Sequence, residues 1–216
     1  MLTRHGFLLR LIATIAGIAG CVVEQSAHAQ TIIDEWATVQ TPPPPALTPV
    51  VTLDRKTTAL LMLDFNQQTC NAQRRPRCIA SLPKVKSLLS AARSAGIPVV
   101  FTLGGGGKPP DILPDLVPTA DEPVLSSGVD KFMNTDLEKI LKDKGVRTVI
   151  VVGNAAHGAV LYTASAAALR GMKVIVPLNR VSADTAYSEQ YVAWHLVNAP
   201  VISPAMTLTT IEGVKF

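Results

Sequence analysis

The sequence predicts an α/β fold: a three-layer αβα sandwich around a mainly parallel, doubly wound sheet. Two observations carry that prediction. Continuous apolar runs of strand length, such as Ala59-Leu60-Leu61-Met62-Leu63 and Val149-Ile150-Val151-Val152, recur along the chain, as strands buried on both faces require. Segments with helical spacing separate them, and this alternation closes a parallel sheet covered on both sides. Composition agrees: 216 residues, 48% hydrophobic and 17% charged, suit one globular domain with a short appendage and exclude a disordered chain. The formal net charge is +4 and no run of Lys and Arg exceeds two residues, so no nucleic-acid stripe is expected.

The appendage is N-terminal. Arg4 and Arg10 mark a basic region, Leu8 to Cys21 carry no acidic residue, and Ala27-His28-Ala29 is a small-x-small cleavage signature. Residues 1–29 therefore read as a secretory signal peptide cleaved after Ala29, which implies a periplasmic or secreted protein. A membrane-spanning helix needs a longer apolar run. Ile18-Ala19-Gly20-Cys21 also matches a bacterial lipoprotein box, which would place a lipid anchor on Cys21 instead. Residues 30–57 read as a lead-in with a stiff Pro42-Pro43-Pro44-Pro45 segment.

The compact domain is expected over 58–216. Strands are predicted at Thr58–Asp64, Ile97–Leu103, Val124–Ser126, Arg147–Gly153 and Met172–Leu178, with an edge strand at Met206–Thr210. Helices are predicted over 82–95, from the capping pattern Thr135-Asp136-Leu137-Glu138 to Gly145, over 157–170, and over 185–198. Cleavage after Ala29 leaves Cys70 and Cys78 as the mature cysteines. In an oxidising compartment such a close pair forms a disulfide across a polar loop. A zinc site would need further ligands, and no histidine lies nearby.

In such a sheet the working residues lie at the carboxyl ends of the strands. Asp64 ends the first buried strand, where partial desolvation can bring a carboxyl into acid/base range; the alternative is a turn-capping aspartate. The turn Gly153-Asn154-Ala155-Ala156-His157-Gly158-Ala159 links a strand to a buried helix. The N–H groups of Gly158 and Ala159 could hold an anion or oxyanion there, with Asn154 beside them and His157 as a donor or acid/base; His157 also fits as a solvated helix-start residue. His195, beside Trp194 in a helix, reads as structural. Gly104-Gly105-Gly106-Gly107-Lys108 lacks the phosphate-loop spacing and runs into Pro109-Pro110, so it reads as a flexible wall or lid. The sequence contains neither a G-x-S-x-G elbow nor an H-E-x-x-H zinc motif.

Taken together, Thr58-Ala-Leu-Leu-Met-Leu-Asp64, Phe132-Met-Asn-Thr135-Asp-Leu137, Gly145-Val-Arg-Thr-Val-Ile-Val-Val-Gly153 and Ala159-Val160-Leu-Tyr-Thr163-Ala164 resemble the isochorismatase-like hydrolases over residues 57–188. That cysteine hydrolase family includes nicotinamidases and N-carbamoyl amidases. The resemblance implies a catalytic aspartate at Asp64, a lysine before the Phe-x-x-Thr segment, and a cysteine before Val-x-x-Thr-Ala. Ser126 or Ser127 falls at the expected lysine position, where they are read as substrate-binding; Lys131 abuts Phe132 and looks out of register. Ala159 occupies the cysteine position, and a methyl group cannot form an acyl-enzyme.

No metal or other cofactor is implied, because Phe65-Asn66-Gln67 and Leu103-Gly104 lack the ligands that nicotinamidases use. The resemblance points to a small-molecule substrate and admits a homodimer. Two readings stand: a hydrolase that uses Asp64 as general acid/base without a thiol intermediate, as true isochorismatases cleave a vinyl ether, or an inactive small-molecule-binding pseudoenzyme.

Overall fold

The computed structural model describes residues 31–216. The expected signal peptide and the alternative lipid site at Cys21 lie outside the described residues. The described chain divides into two units, with the boundary between Thr41 and Pro42. In the first, Thr31 donates from its backbone N–H and its hydroxyl to Asp34 at 2.9 and 2.8 Å and so starts the single turn α1, Ile32–Glu35.

The second unit holds the sheet. In chain order its strands are β1 (Val51–Thr52), β2 (Thr58–Leu63), β3 (Val99–Leu103), β4 (Val124–Ser126), β5 (Thr148–Asn154), β6 (Lys173–Pro177), β7 (Val181–Ser182), β8 (Met206–Thr209) and β9 (Val214–Lys215). The main sheet runs β4-β3-β2-β5-β6-β8, with β7 added alongside the end of β5. Every pairing within it is parallel. The central strands β2 and β5 are the most apolar, and β2 is buried along its whole length. This is the expected isochorismatase-like α/β architecture.

The pleat sends alternate residues to opposite layers. Leu60, Met62, Ile150 and Val152 meet Val85, Leu88, Leu89 and Ala92 of α2 (Pro76–Ser94) on one face. Ala59, Leu61, Leu63, Val149 and Val151 meet α3 (Leu137–Asp143), α4 (Leu161–Leu169) and α5 (Ala186–Asn198) on the other. A parallel sheet with helices on both faces places the carboxyl ends of β2, β3 and β5 side by side, because Leu63 is in register with Thr102 and with Gly153.

Several boundaries differ from the sequence reading, each for a local reason. Helix α2 starts at Pro76, where proline is favoured because that N–H has no helical partner, and it runs through Pro83. The expected capping box at Thr135 does not form. The Thr135 hydroxyl instead donates to Lys131 O at 2.5 Å and accepts from Leu137 N, so α3 begins at Leu137. From Pro42 onward the expected lead-in belongs to the second unit. There β1 pairs with β9 in a small separate sheet, and Leu53 is buried with Met62 and Phe65.

Cys70 and Cys78 form a disulfide and both are buried. The bond ties the loop after β2 to the first turn of α2. Closing a loop of this length stabilises the folded state by roughly 2–3 kcal/mol on the chain-entropy scale. Cys70→Ser/Cys78→Ser is expected to lose about that much in urea unfolding, and the native chain under a reductant that opens the bond should lose the same.

Candidate active site

Asp64 follows β2 directly, and its backbone takes a left-handed conformation, φ +57°. That conformation is costly for a residue with a Cβ, and it persists because the surroundings fix it. The Asp64 carbonyl accepts from Asn154 Nδ2 at 2.9 Å and from the Thr69 hydroxyl, while its N–H donates to Thr102 O at 3.1 Å. The strand thus ends with its last carboxylate turned into the protein rather than out to water, and Asp64 is only 5% exposed.

The carboxylate is partnered on both oxygens. Thr102 Oγ1 donates to Oδ1 at 2.7 Å, and Lys131 Nζ donates to Oδ2 at 2.8 Å. The ammonium also donates to Gly128 O at 2.7 Å and is fully buried. Burial pushes the Asp64 carboxyl above its ordinary value, while the Lys131 charge and hydrogen bond, then Thr102, then the charge of Arg75 pull it back. The result is a carboxyl raised from its ordinary value beside a buried cation.

Lys131 corrects the sequence register. Ser126 and Ser127 fall where the lysine was expected, yet the lysine reaching Asp64 comes from five residues beyond Ser126. Ser126 is exposed at the end of β4. Ser127 donates from its N–H to Leu103 O and from its hydroxyl to Gly128 O, the same carbonyl that holds the ammonium. The chain then turns so that the Lys131 N–H donates to Thr163 Oγ1 at 3.3 Å, and that hydroxyl donates to Val129 O at 3.3 Å. The Thr of Val-x-x-Thr-Ala therefore anchors the lysine loop. Such a lysine carries no periodic signal, but it is the one lysine between Lys108 and Lys139.

The glycine run is a wall. Any Cβ at Gly104 would lie 2.3 Å from Asp64 Oδ2, and any at Gly107 would lie 2.1 Å from Asn66 Nδ2. Only a bare backbone lets β3 continue past the carboxylate. The same loop is pinned by Asn66 Nδ2, which donates to Gly104 O at 2.9 Å.

The second feature expected from sequence, the turn after β5, lies at the same sheet end. Asn154 is fully buried with both amide groups in use, since its Nδ2 holds Asp64 and its Oδ1 accepts from Arg75 Nη1 at 3.2 Å. Its amide is thus engaged in the frame around Asp64. The Gly158 N–H donates to Ala155 O at 3.0 Å. Ala159 is 3% exposed at the start of the α4 segment, with no nucleophilic group. A Cβ on Gly158 would lie 3.7 Å from Val129 Cγ1, so the lysine loop and the helix-start turn touch. His157 is exposed on that turn, whereas the His195 ring lies tilted against Tyr191 with ring centroids 5.8 Å apart. Arg75 and Thr102 were not singled out by sequence, because their position depends on contacts across the sheet.

Breaking a buried ion pair strands the surviving charge. Asp64→Asn and Lys131→Met are each expected to lose about 3–5 kcal/mol at neutral pH, and the double variant markedly less than the sum of the two. Urea unfolding of the four proteins checks this. Additive losses would show that the two groups do not act as a pair.

The sequence and the fold have counterparts among known proteins. A family model described as the Isochorismatase domain matches residues 58–207. The secreted isochorismatase effector of Verticillium dahliae is 35% identical over 108 residues, which are 45% of this chain and 57% of that protein, so the match spans little more than half of the relative. An isochorismatase-like hydrolase from Alkaliphilus metalliredigens superposes with a TM-score of 0.65 at 22% identity, over 74% of this chain and 94% of that one. The N-carbamoylsarcosine amidase from Thermoplasma acidophilum gives 0.62 at 19%, over 72% and 97%. At such identities these structures share the fold alone. With the family model spanning most of the chain, the protein belongs to the isochorismatase family.

Proposed function

We propose that the chain is an exported hydrolase that cleaves a small enol ether of the isochorismate type, with Asp64 as general acid and no covalent thiol intermediate. The observation that carries this reading is the buried Asp64–Lys131 pair in a chain whose Ala159 occupies the sequence position at which acyl transfer would need a thiol. In the proposed reaction Asp64 gives its proton to the terminal methylene carbon of the enol ether. The resulting oxocarbenium ion takes water, the hemiketal loses a proton back to the carboxylate, and it collapses to pyruvate and a free alcohol. Atoms and charge balance with water as the only co-reactant. Lys131 holds the carboxyl in place and stabilises its anion between the two proton transfers. His157, exposed on the α4 turn, is the candidate donor to a substrate carboxylate.

Export is supported by the Ala27-His28-Ala29 signature, by the Cys70–Cys78 disulfide, and by a relative described as a secreted effector. The second reading, a binding protein without turnover, draws on the missing thiol alone, and the surviving Asp64–Lys131 pair counts against it.

The test is pyruvate release from isochorismate by the purified mature chain. Turnover should fall by about 10²–10⁴-fold in Asp64→Asn. Ligand-induced thermal stabilisation with no pyruvate at any pH would instead establish the binding reading. A raised carboxyl is protonated, and so competent as an acid, below its folded-state value, and activity should decline as pH rises through that value. Because the Lys131 charge pulls the carboxyl down, the declining limb should move to higher pH in Lys131→Met, read from kcat/KM against pH.

A further inference from the structure

A buried cation on the far side of Asp64 has no part in the reaction just described. Arg75 precedes α2, and its side chain is 5% exposed. Its Nη1 donates to Thr69 O at 2.7 Å and to Asn154 Oδ1 at 3.2 Å, and its Nε lies 2.6 Å from Asp184 Oδ1. Both inner partners lead to the same atom, because Asn154 Nδ2 and the Thr69 hydroxyl each donate to the Asp64 carbonyl. The guanidinium therefore grips the two groups that hold Asp64 in its left-handed conformation.

The segment carrying Arg75 is itself closed. The Cys70–Cys78 bond spans residues 71–77, with Cys70 one residue after Thr69 and Cys78 in the first turn of α2. Within it Arg75 N–H donates to Asn71 O and Cys78 N–H donates to Arg75 O. The bridge thus limits how far Arg75 can drift from Thr69 and from the end of β5.

We infer that Arg75, held by the Cys70–Cys78 bridge, is a positioning residue that fixes the Asp64 carboxyl for proton transfer by way of Asn154 and Thr69. The inference rests on the proposed role of Asp64 as the acid. The charged groups bearing on it are Lys131 and Arg75 around Asp64, and Asp184 and Arg74 around Arg75. Arg74 and Asp184 lie 3.8 Å apart at the surface end of the chain of contacts, and Lys131 closes its inner end.

The experiment follows Asp64 in two independent ways on the mature, oxidised chain: the titration of its carboxyl carbon by ¹³C NMR, which needs no substrate, and kcat and KM for pyruvate release. In Arg75→Met the carboxyl should titrate at higher pH, and kcat should fall about tenfold or more with KM changed less than about twofold. Arg75→Lys keeps the charge but loses the fork that reaches three partners, so it should restore the titration more fully than kcat. An Asp64 titration and kcat both unmoved in folded Arg75→Met would reduce Arg75 to a structural role and overturn the inference. Should the mature chain release no pyruvate, the proposed activity fails while the titration arm still decides the positioning. Should Arg75→Met not fold, Cys70→Ser/Cys78→Ser is read in its place. A lowered melting temperature with titration and kcat unchanged would refute the brace, and an upward titration with reduced kcat would support it.

Discussion

The Asp64–Lys131 pair is the constraint around which this sheet end is arranged. Moving a carboxylate and an ammonium out of water costs several kcal/mol for each ion, and their attraction recovers this only when every remaining valence is satisfied. Thr102 on β3 donates to the carboxylate and Gly128 in the lysine loop accepts from the ammonium, while Asn154 on β5 and Thr69 before the disulfide hold the Asp64 backbone carbonyl and the bare backbone of Gly104 leaves the carboxylate room. Parallel register brings the ends of three neighbouring strands together, so these contacts come from segments far apart in sequence.

That origin explains what sequence could and could not reveal. The strands, the helices of both layers and the edge strand were legible because each is written as a local period of apolar residues, and periods survive without knowledge of the rest of the chain. Asp64 was legible for a related reason, as a polar residue closing an otherwise apolar run. Lys131 was not. It lies in a loop, where side-chain direction follows turns rather than a repeat, and a shift of a few residues along the chain need not change which ammonium arrives at a carboxylate. Ser126 and Ser127 hold the spacing at which the lysine was expected, but the ammonium that meets Asp64 comes from Lys131. Arg75 was hidden because its first helical turn contains Pro76 and polar residues that read as a loop, and because its partners lie on Asn154 and Asp184.

The turn after β5 shows how backbone geometry bears on a reading made from composition. Its composition suggested free N–H groups ready for an anion, a sound inference for a helix that starts cleanly. Here Gly158 has non-helical dihedrals, φ −117° and ψ −105°, and its N–H is spent on Ala155 O. Asn154 is likewise consumed by the frame. Part of this turn is therefore engaged in the frame of the sheet end, while His157 on the same turn stays exposed.

The alanine at the thiol position does not by itself argue for an inert protein. An acyl-transfer enzyme that loses its nucleophile loses its reaction, but proton transfer to carbon needs only an acid, a means of stabilising the conjugate base and a cavity that admits substrate and water. Asp64 and Lys131 form a buried carboxylate–ammonium pair, which is what the proposed acid and its stabiliser would require. Stability alone gives little reason for them, since a buried ion pair is often no better than an apolar pair of the same volume. A chain whose only task was to fold, or to hold a neutral ligand, could fill this space with leucine and methionine and spare itself the left-handed aspartate, the bare glycine wall and the buried arginine behind it. The whole arrangement becomes physically coherent once the carboxyl has to change its proton while staying in place.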